Sequence, residues 1–242
     1  MKNFILLISI LLISSPCMAN TLYDSATNSP IGNAKVTIPK YNYSTYTDEN
    51  GNFDLGDIKD PAILSVQKEG YRPFSLTVKN DTVASRPLVV GIQKSDISDI
   101  VIESDVMHLG DDNYSRASAN AGNFRLRSAG PVYSKSFKMG SATGNSYLVI
   151  GSILGIDTLM ARTMGQNRII NSYASPPEVY FNGAKISEIQ LNGDNQKIKL
   201  PNRLIRPNQL NEITIRTGRN LMQTAYVDYD DIEIANISIF SE

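Results

Sequence analysis

The sequence predicts an all-β protein built of two β-sandwich domains. Three observations support this. The last third runs EVYFNGAKISEIQL, NQLNEITIRTG and YVDYDDIEIANISIF, short alternating stretches separated by Asn, Gly, Pro and Asp, the pattern of antiparallel strands and their turns. A second set of short β-rich runs at even spacing fills residues 35–92. No repeat, heptad or low-complexity tract breaks either set, which leaves a solenoid or coiled coil without support.

In chain order, MKNFILLISILLISSPCMAN places one Lys before an apolar run and ends in small residues. This is the form of a secretory signal peptide over residues 1–19, cut after Ala19. The run is shorter than the about 20 residues needed to cross a bilayer, so the expectation is a secreted or periplasmic chain with no transmembrane segment after cleavage. Pro16 precedes Cys17 where a lipoprotein needs a small residue, which argues against lipidation. Cys17 is the one cysteine, so the mature chain forms no disulfide and has no thiol chemistry. Net charge is −1, and −2 once Lys2 has left. That balance gives no electrostatic case for nucleic acid.

The first domain, residues 20–95, reads as strands over 35–38, 43–47, 52–55, 62–67, 74–78 and 88–92. Asp48-Glu49-Asn50-Gly51 and Lys68-Glu69-Gly70-Tyr71 are its turns, each with a glycine able to take φ > 0. Phe53 and Leu55 share one face and are expected in the core. Ser95-Asp96-Ile97-Ser98-Asp99 is a short polar linker, and the second domain spans 96–242. Within it residues 152–164 read as a loop with at most a turn of helix, since the segment is apolar, lacks strong caps and contains Gly155. Asn182-Gly183 and Asn192-Gly193 mark tight turns.

Pro30-Ile31-Gly32-Asn33-Ala34-Lys35-Val36, Thr47-Asp48-Glu49-Asn50-Gly51-Asn52-Phe53 and Lys68-Glu69-Gly70-Tyr71 together resemble the carboxypeptidase regulatory-like domain. Its usual forms are P-L-x-G-A-x-V, T-D-x-x-G-x-F and K-x-G-Y; Asn33 stands here for the usual Gly. The resemblance implies a prealbumin-like accessory or spacer module with no catalytic residues. Val179 to Gly183, Leu210 to Gly218 and Asp230 to Ile234 resemble the V-x-x-N-G, L-N-x-I-x-I-x-x-G and D-D-I/F-E-I segments of galactose-binding-like jelly rolls, similar to carbohydrate-binding modules. Met107 to Ser115 resembles the H-L-G-D-D-x-F/Y-S-G opening of some members, with Arg116 in place of the glycine. This likeness implies recognition rather than catalysis.

Six acids are candidate ligands for a structural calcium: Glu103, Asp111, Asp112, Asp228, Asp230 and Glu233. Ca²⁺ needs six to eight oxygens, and these converge only if the first and last strands of the second domain pair. The competing reading is that they cap turns and face water. His108, the one histidine, is assigned a structural role. G-x-S-x-G, H-E-x-x-H and phosphate-loop motifs are absent, so enzyme activity is not expected.

Sugar binding needs aromatic faces beside polar groups. The chain has no Trp, leaving Tyr114, Tyr133, Tyr147, Tyr173, Tyr180 and Tyr226 as platforms. Tyr173 is the leading candidate, in a loop followed by two prolines, with Arg162, Gln166, Asn167 and Arg168 as hydrogen-bonding partners. The expected function is a secreted, non-catalytic carbohydrate-binding accessory protein whose partner is a glycan. The alternative is a periplasmic or cell-surface protein-interaction module, which predicts an apolar patch or an open strand edge instead.

Overall fold

The computed structural model describes residues 19–80, 86–111, 124–140, 144–166 and 173–241. The signal-peptide reading and candidates Asp112, Tyr114, Asn167 and Arg168 lie outside these residues. The described chain is all-β, in four sheets.

In the first sandwich, β2 (Lys35–Ile38), β3 (Tyr43–Tyr46), β5 (Ala62–Gln67) and β6 (Phe74–Val78) form an antiparallel sheet in the order β3-β2-β5-β6. The facing sheet is β4 (Asn52–Phe53), β1 (Asn20–Asp24) and β7 (Val89–Ile92), in which β1 runs antiparallel to β4 and parallel to β7. The strand β1 is an addition to those read from the sequence. Phe53 and Leu55 enter the core with Leu22, Val36, Leu64 and Val90.

Local chemistry closes the turns. Asp48 accepts from the backbone N–H groups of Asn50 and Asn52 at 2.9 and 2.7 Å. Gly51 has φ +75°, and a Cβ there would stand 2.3 Å from the Leu22 carbonyl oxygen. Only glycine permits this approach of the turn to β1.

The second sandwich pairs the sheet β13-β10-β15-β8 with β12-β11-β14-β9, both antiparallel. The strands are β8 (Ile100–Leu109), β9 (Val132–Lys138), β10 (Ser146–Leu154), β11 (Glu178–Phe181), β12 (Ala184–Glu188), β13 (Gly193–Lys199), β14 (Leu210–Arg216) and β15 (Ile232–Ser241). Asn182 (φ +51°) and Gly183 (φ +81°) make the tight β11–β12 turn that their sequence specifies. Asn192 takes a different part from the turn expected: its side-chain oxygen accepts from the Ile156 N–H at 2.7 Å.

Residues 152–154 continue β10, and helix α1 (Leu159–Thr163) follows, so the apolar run read as a loop with at most a turn of helix divides into a strand end and that turn. Pairing with β15 on one side and β13 on the other overrides the segment's weak local signal.

On β15 a bulge at Asn236 resets the side-chain alternation. Ile232 and Ile234 before it, and Ile237 and Ile239 after it, all reach the core. Without the extra residue, one pair would face outward, because a one-residue slip exchanges the two faces of a strand. The opposite face of this sheet meets the first sandwich. Thr77 donates from its backbone N–H to Asp194 at 2.9 Å, and Gln67 Nε2 donates to the Ser104 carbonyl at 2.9 Å. Arg72 grips Asp99 through Nε at 2.7 Å and a second nitrogen at 2.9 Å, which pins the linker.

Candidate functional site

One end of the second sandwich gathers most of the predicted binding residues. Helix α1 is one short turn, capped by Thr158, whose side-chain oxygen accepts from the Ala161 N–H at 3.0 Å. It buries Ala161 and exposes Leu159 and Met160. Ala174 bridges Thr158 on one side and Asn220 on the other. The 219–228 loop is closed by Asn220, whose backbone N–H donates to the Asp228 carbonyl and whose Nδ2 donates to the Asp228 carboxylate at 2.9 Å. Leu221 N–H donates to the Tyr173 carbonyl. The helix, the Tyr173 segment and the 219–228 loop are therefore tied into one surface.

Gly218 makes the crossing possible. A Cβ there would lie 1.8 Å from the Ser175 carbonyl oxygen, a clash no side-chain adjustment relieves.

Of the predicted ligand-binding set, Arg162 and Tyr173 are brought together, the guanidinium 5.1 Å from the ring centre. That cation covers a ring face on which a sugar would stack. Gln166 is engaged with the Asn192 backbone, accepting from its N–H at 2.9 Å and donating to its carbonyl at 3.1 Å. Tyr180 donates to Glu178 at 2.6 Å, and the Lys197 amine lies 4.1 Å over the Tyr147 ring. Tyr133 packs half-buried against the core. Tyr226 is exposed.

Sequence reasoning passed over the apolar side chains around these residues. Leu159, Met160, Met164, Leu221, Met222, Tyr226 and Val227 are between 49% and 66% exposed, seven of the thirteen exposed large hydrophobic side chains among the described residues. The signal was present in the apolar run 152–164, read only for its secondary structure.

Beneath this end lie buried acids. The strands β8 and β15 do pair, bringing His108 opposite Glu233 and Leu109 opposite Ile232. The Glu103 carboxylate turns back to accept from the Ser104 N–H, Asp111 accepts from the Tyr229 N–H, and Asp230 accepts from the Asp157 N–H. Among the described residues no group of three or more His, Cys, Asp or Glu stands where it could hold a metal ion. Burial, with the nearby Asp157, Asp231 and Asp228 charges, raises the Asp230 carboxyl well above the usual carboxylate range. Glu233 is pushed up to about 7 by burial, against the opposing charges of Lys40 and His108.

His108 is buried between Asp231, whose carboxylate is 2.8 Å from Nε2, and the Leu126 carbonyl, 2.8 Å from Nδ1. Burial, the largest single effect, pulls its pKa down, but the bonds to Asp231 and the Leu126 carbonyl and the charges of Asp231 and Glu233 together outweigh it and the net shift is upward. With a carboxylate on one nitrogen and a carbonyl on the other, both nitrogens donate and the ring is the imidazolium. It braces β8 against β15.

No helix among the described residues is long and apolar enough to cross a membrane. No curated protein matches the chain. Residues 21–102, the first sandwich together with the linker and the start of β8, match the family model of the CarboxypepD_reg-like domain.

Proposed function

We propose that this chain is a secreted, non-catalytic interaction protein. In this reading the CarboxypepD_reg-like sandwich is the accessory module, and the second sandwich seats a protein partner on its loop end. The observation that carries the reading is the concentration of seven exposed apolar side chains on two cross-tied segments. Apolar surface gathered in one place marks interaction sites, whereas single exposed residues do not. Three of the seven are methionines, whose flexible thioethers adapt to a partner's shape. Arg219 is an exposed charged side chain of the 219–228 loop, so a matching partner presents an acid beside its apolar side chains.

A glycan ligand at the same end would rest on Tyr173 and Tyr226. It has the weaker support, because Arg162 covers Tyr173 and Gln166 is engaged with the backbone.

One experiment separates the two. A photo-crosslinking residue at Met222, with a control at Lys185, is introduced into the chain in its native cell envelope, and the isolated protein is screened on a glycan array. The expected result is one discrete crosslinked protein at Met222, lost when Met160, Leu221 and Leu159 become Ser, and no glycan binding. Glycan binding that the triple serine variant retains and Tyr173→Ala abolishes would overturn the protein-docking reading.

A further inference from the structure

The seam between the two sandwiches carries a cleft of about 420 Å³, within the size range of small-ligand sites. Ser75 of β6 and Asn236 and Ser238 of β15 lie on its floor, 4%, 2% and 2% exposed. Neither serine hydroxyl, and neither polar atom of the Asn236 amide, meets a hydrogen-bond partner among the described residues. Buried polar groups in folded proteins are nearly always paired, so four orphan atoms on one floor call for an explanation.

The backbone holds them there. Asn236 sits in the β15 bulge at φ +55°, a conformation that costs energy even for asparagine. Gly151 of β10 lies against it: a Cβ there would stand 2.5 Å from Ser75 Oγ and 2.8 Å from Asn236 Cβ. A side chain at that position would fill the floor.

Open strand edges form the walls. The cleft is lined by residues of β6, β7 and β13, each the last strand of its sheet. On β6 the Thr77 N–H points away from β5 and donates to the Asp194 carboxylate at 2.9 Å. Backbone groups alternate between the two sides of an antiparallel strand, so Ser75, two residues back, turns its N–H and C=O the same way. Asp194 closes this edge at Thr77, and the cleft meets it at Ser75.

Charge has no part in the site. Among the described residues no Asp or Glu lines the cleft. Of its two cations, Arg72 is held by Asp99 at 2.7 Å and covers the Phe240 ring, and the Lys197 amine lies 4.1 Å over the Tyr147 ring. The orphan groups of the floor are two hydroxyls and one carboxamide, all neutral. A carboxamide sets a donor and an acceptor side by side, the complement of a peptide group, and Phe74, Ile92 and Val149 give the cleft an apolar flank.

The geometry points to a docking groove in this seam for an uncharged, extended stretch of another polypeptide, which lies along the β6 edge as an added strand. Its backbone pairs with Ser75, the Asn236 amide takes a further peptide group, and the Ser238 hydroxyl donates to a carbonyl. The floor atoms are covered while the seam is closed, so the entering segment parts the two sandwiches slightly and both report it. The groove shares no residue with the apolar loop end.

The test is a titration of the ¹⁵N-labelled chain with four probes: N-acetyl trialanine N-methylamide, the same peptide methylated on every alanine nitrogen, N-acetyl trialanine with its free carboxylate, and glucose. The expected result is saturable movement of the Ser75, Gly151, Asn236 and Ser238 amide signals with the uncharged peptide, and no tighter binding of the free acid. Methylation of the nitrogens should weaken binding about ten-fold or more, as should Asn236→Gly, which keeps the left-handed backbone. Ser238→Ala should weaken it less. Silence of those four signals at tens of millimolar peptide, equal binding of the methylated peptide, unchanged affinity in Asn236→Gly, a preference for the free acid, or movement by glucose instead would overturn the proposal.

Discussion

The two sandwiches solve the same folding problem and finish differently. Among the described residues, the first buries two charged side chains, Asp24 and Lys40, and closes its turns with Asp48, Gly51 and Gly70. The second buries His108, Asp157, Asp228, Asp230, Asp231 and Glu233, yet leaves seven large apolar side chains in water at the same end. Stability alone favours the first arrangement, since buried charge is costly and exposed apolar surface forgoes burial. Departures of this kind mark places where a sequence serves something besides folding.

The comparison can be broken most sharply at His108. His108→Ala leaves the Asp231 carboxylate buried without its cation and should cost about 3–5 kcal/mol in urea unfolding. Tyr71→Phe in the first sandwich removes the hydroxyl that donates to Asp24 at 3.1 Å and should cost about 1 kcal/mol. Equal losses would erase the distinction.

Next in size is the pH dependence. The Glu233 carboxyl is raised to about 7 in the folded chain but titrates near 4.3 when unfolded. The unfolded state therefore loses its proton first, and stability falls as pH rises between about 4.3 and 7, by about 3 kcal/mol in all. The raised His108 imidazolium acts in the same direction, its contribution being lost as pH rises through its folded pKa. Melting temperatures at pH 5 and pH 8 check this, and Glu233→Gln should reduce the difference, leaving the share carried by His108 and by the raised Asp230 carboxyl.

Gly51→Ala sharpens the other side of the comparison. A Cβ 2.3 Å from the Leu22 carbonyl, at φ +75°, should cost at least about 2 kcal/mol in the first sandwich. The smallest effect is expected at the loop end, where changing Leu221 and Met222 to Ser should move stability by no more than about 0.5 kcal/mol. A large loss there would mean that these side chains support the fold rather than a partner.

Most of the first sandwich was legible because its strands are short, alternate cleanly and end in turns with Asn, Asp and Gly at the required positions. The turn at Asn182-Gly183 was legible for the same reason. The strand β1 was not, because NTLYD carries little alternation and is a strand through pairing with both β4 and β7. At the candidate site, Tyr173 and Arg162 were found as residues, but their stacking depends on a chain crossing at Gly218. The strand end at residues 152–154 misled the secondary-structure reading, since a strand buried on both sides lacks alternation, whereas the turn of helix allowed within 152–164 is present as α1.

The sequence by itself determined the class of fold, the turns and the inward isoleucines of β15, whose change of spacing in IEIANISI already encodes the bulge. These depend on neighbours along the chain. Tertiary structure alone decided that His108 would meet Asp231, that the apolar loop residues would share one surface, and that Ser75, Asn236 and Ser238 would face each other across the seam. Those meetings join residues up to 163 positions apart, Ser75 to Ser238, and such distances are set by how sheets stack, which no local pattern specifies.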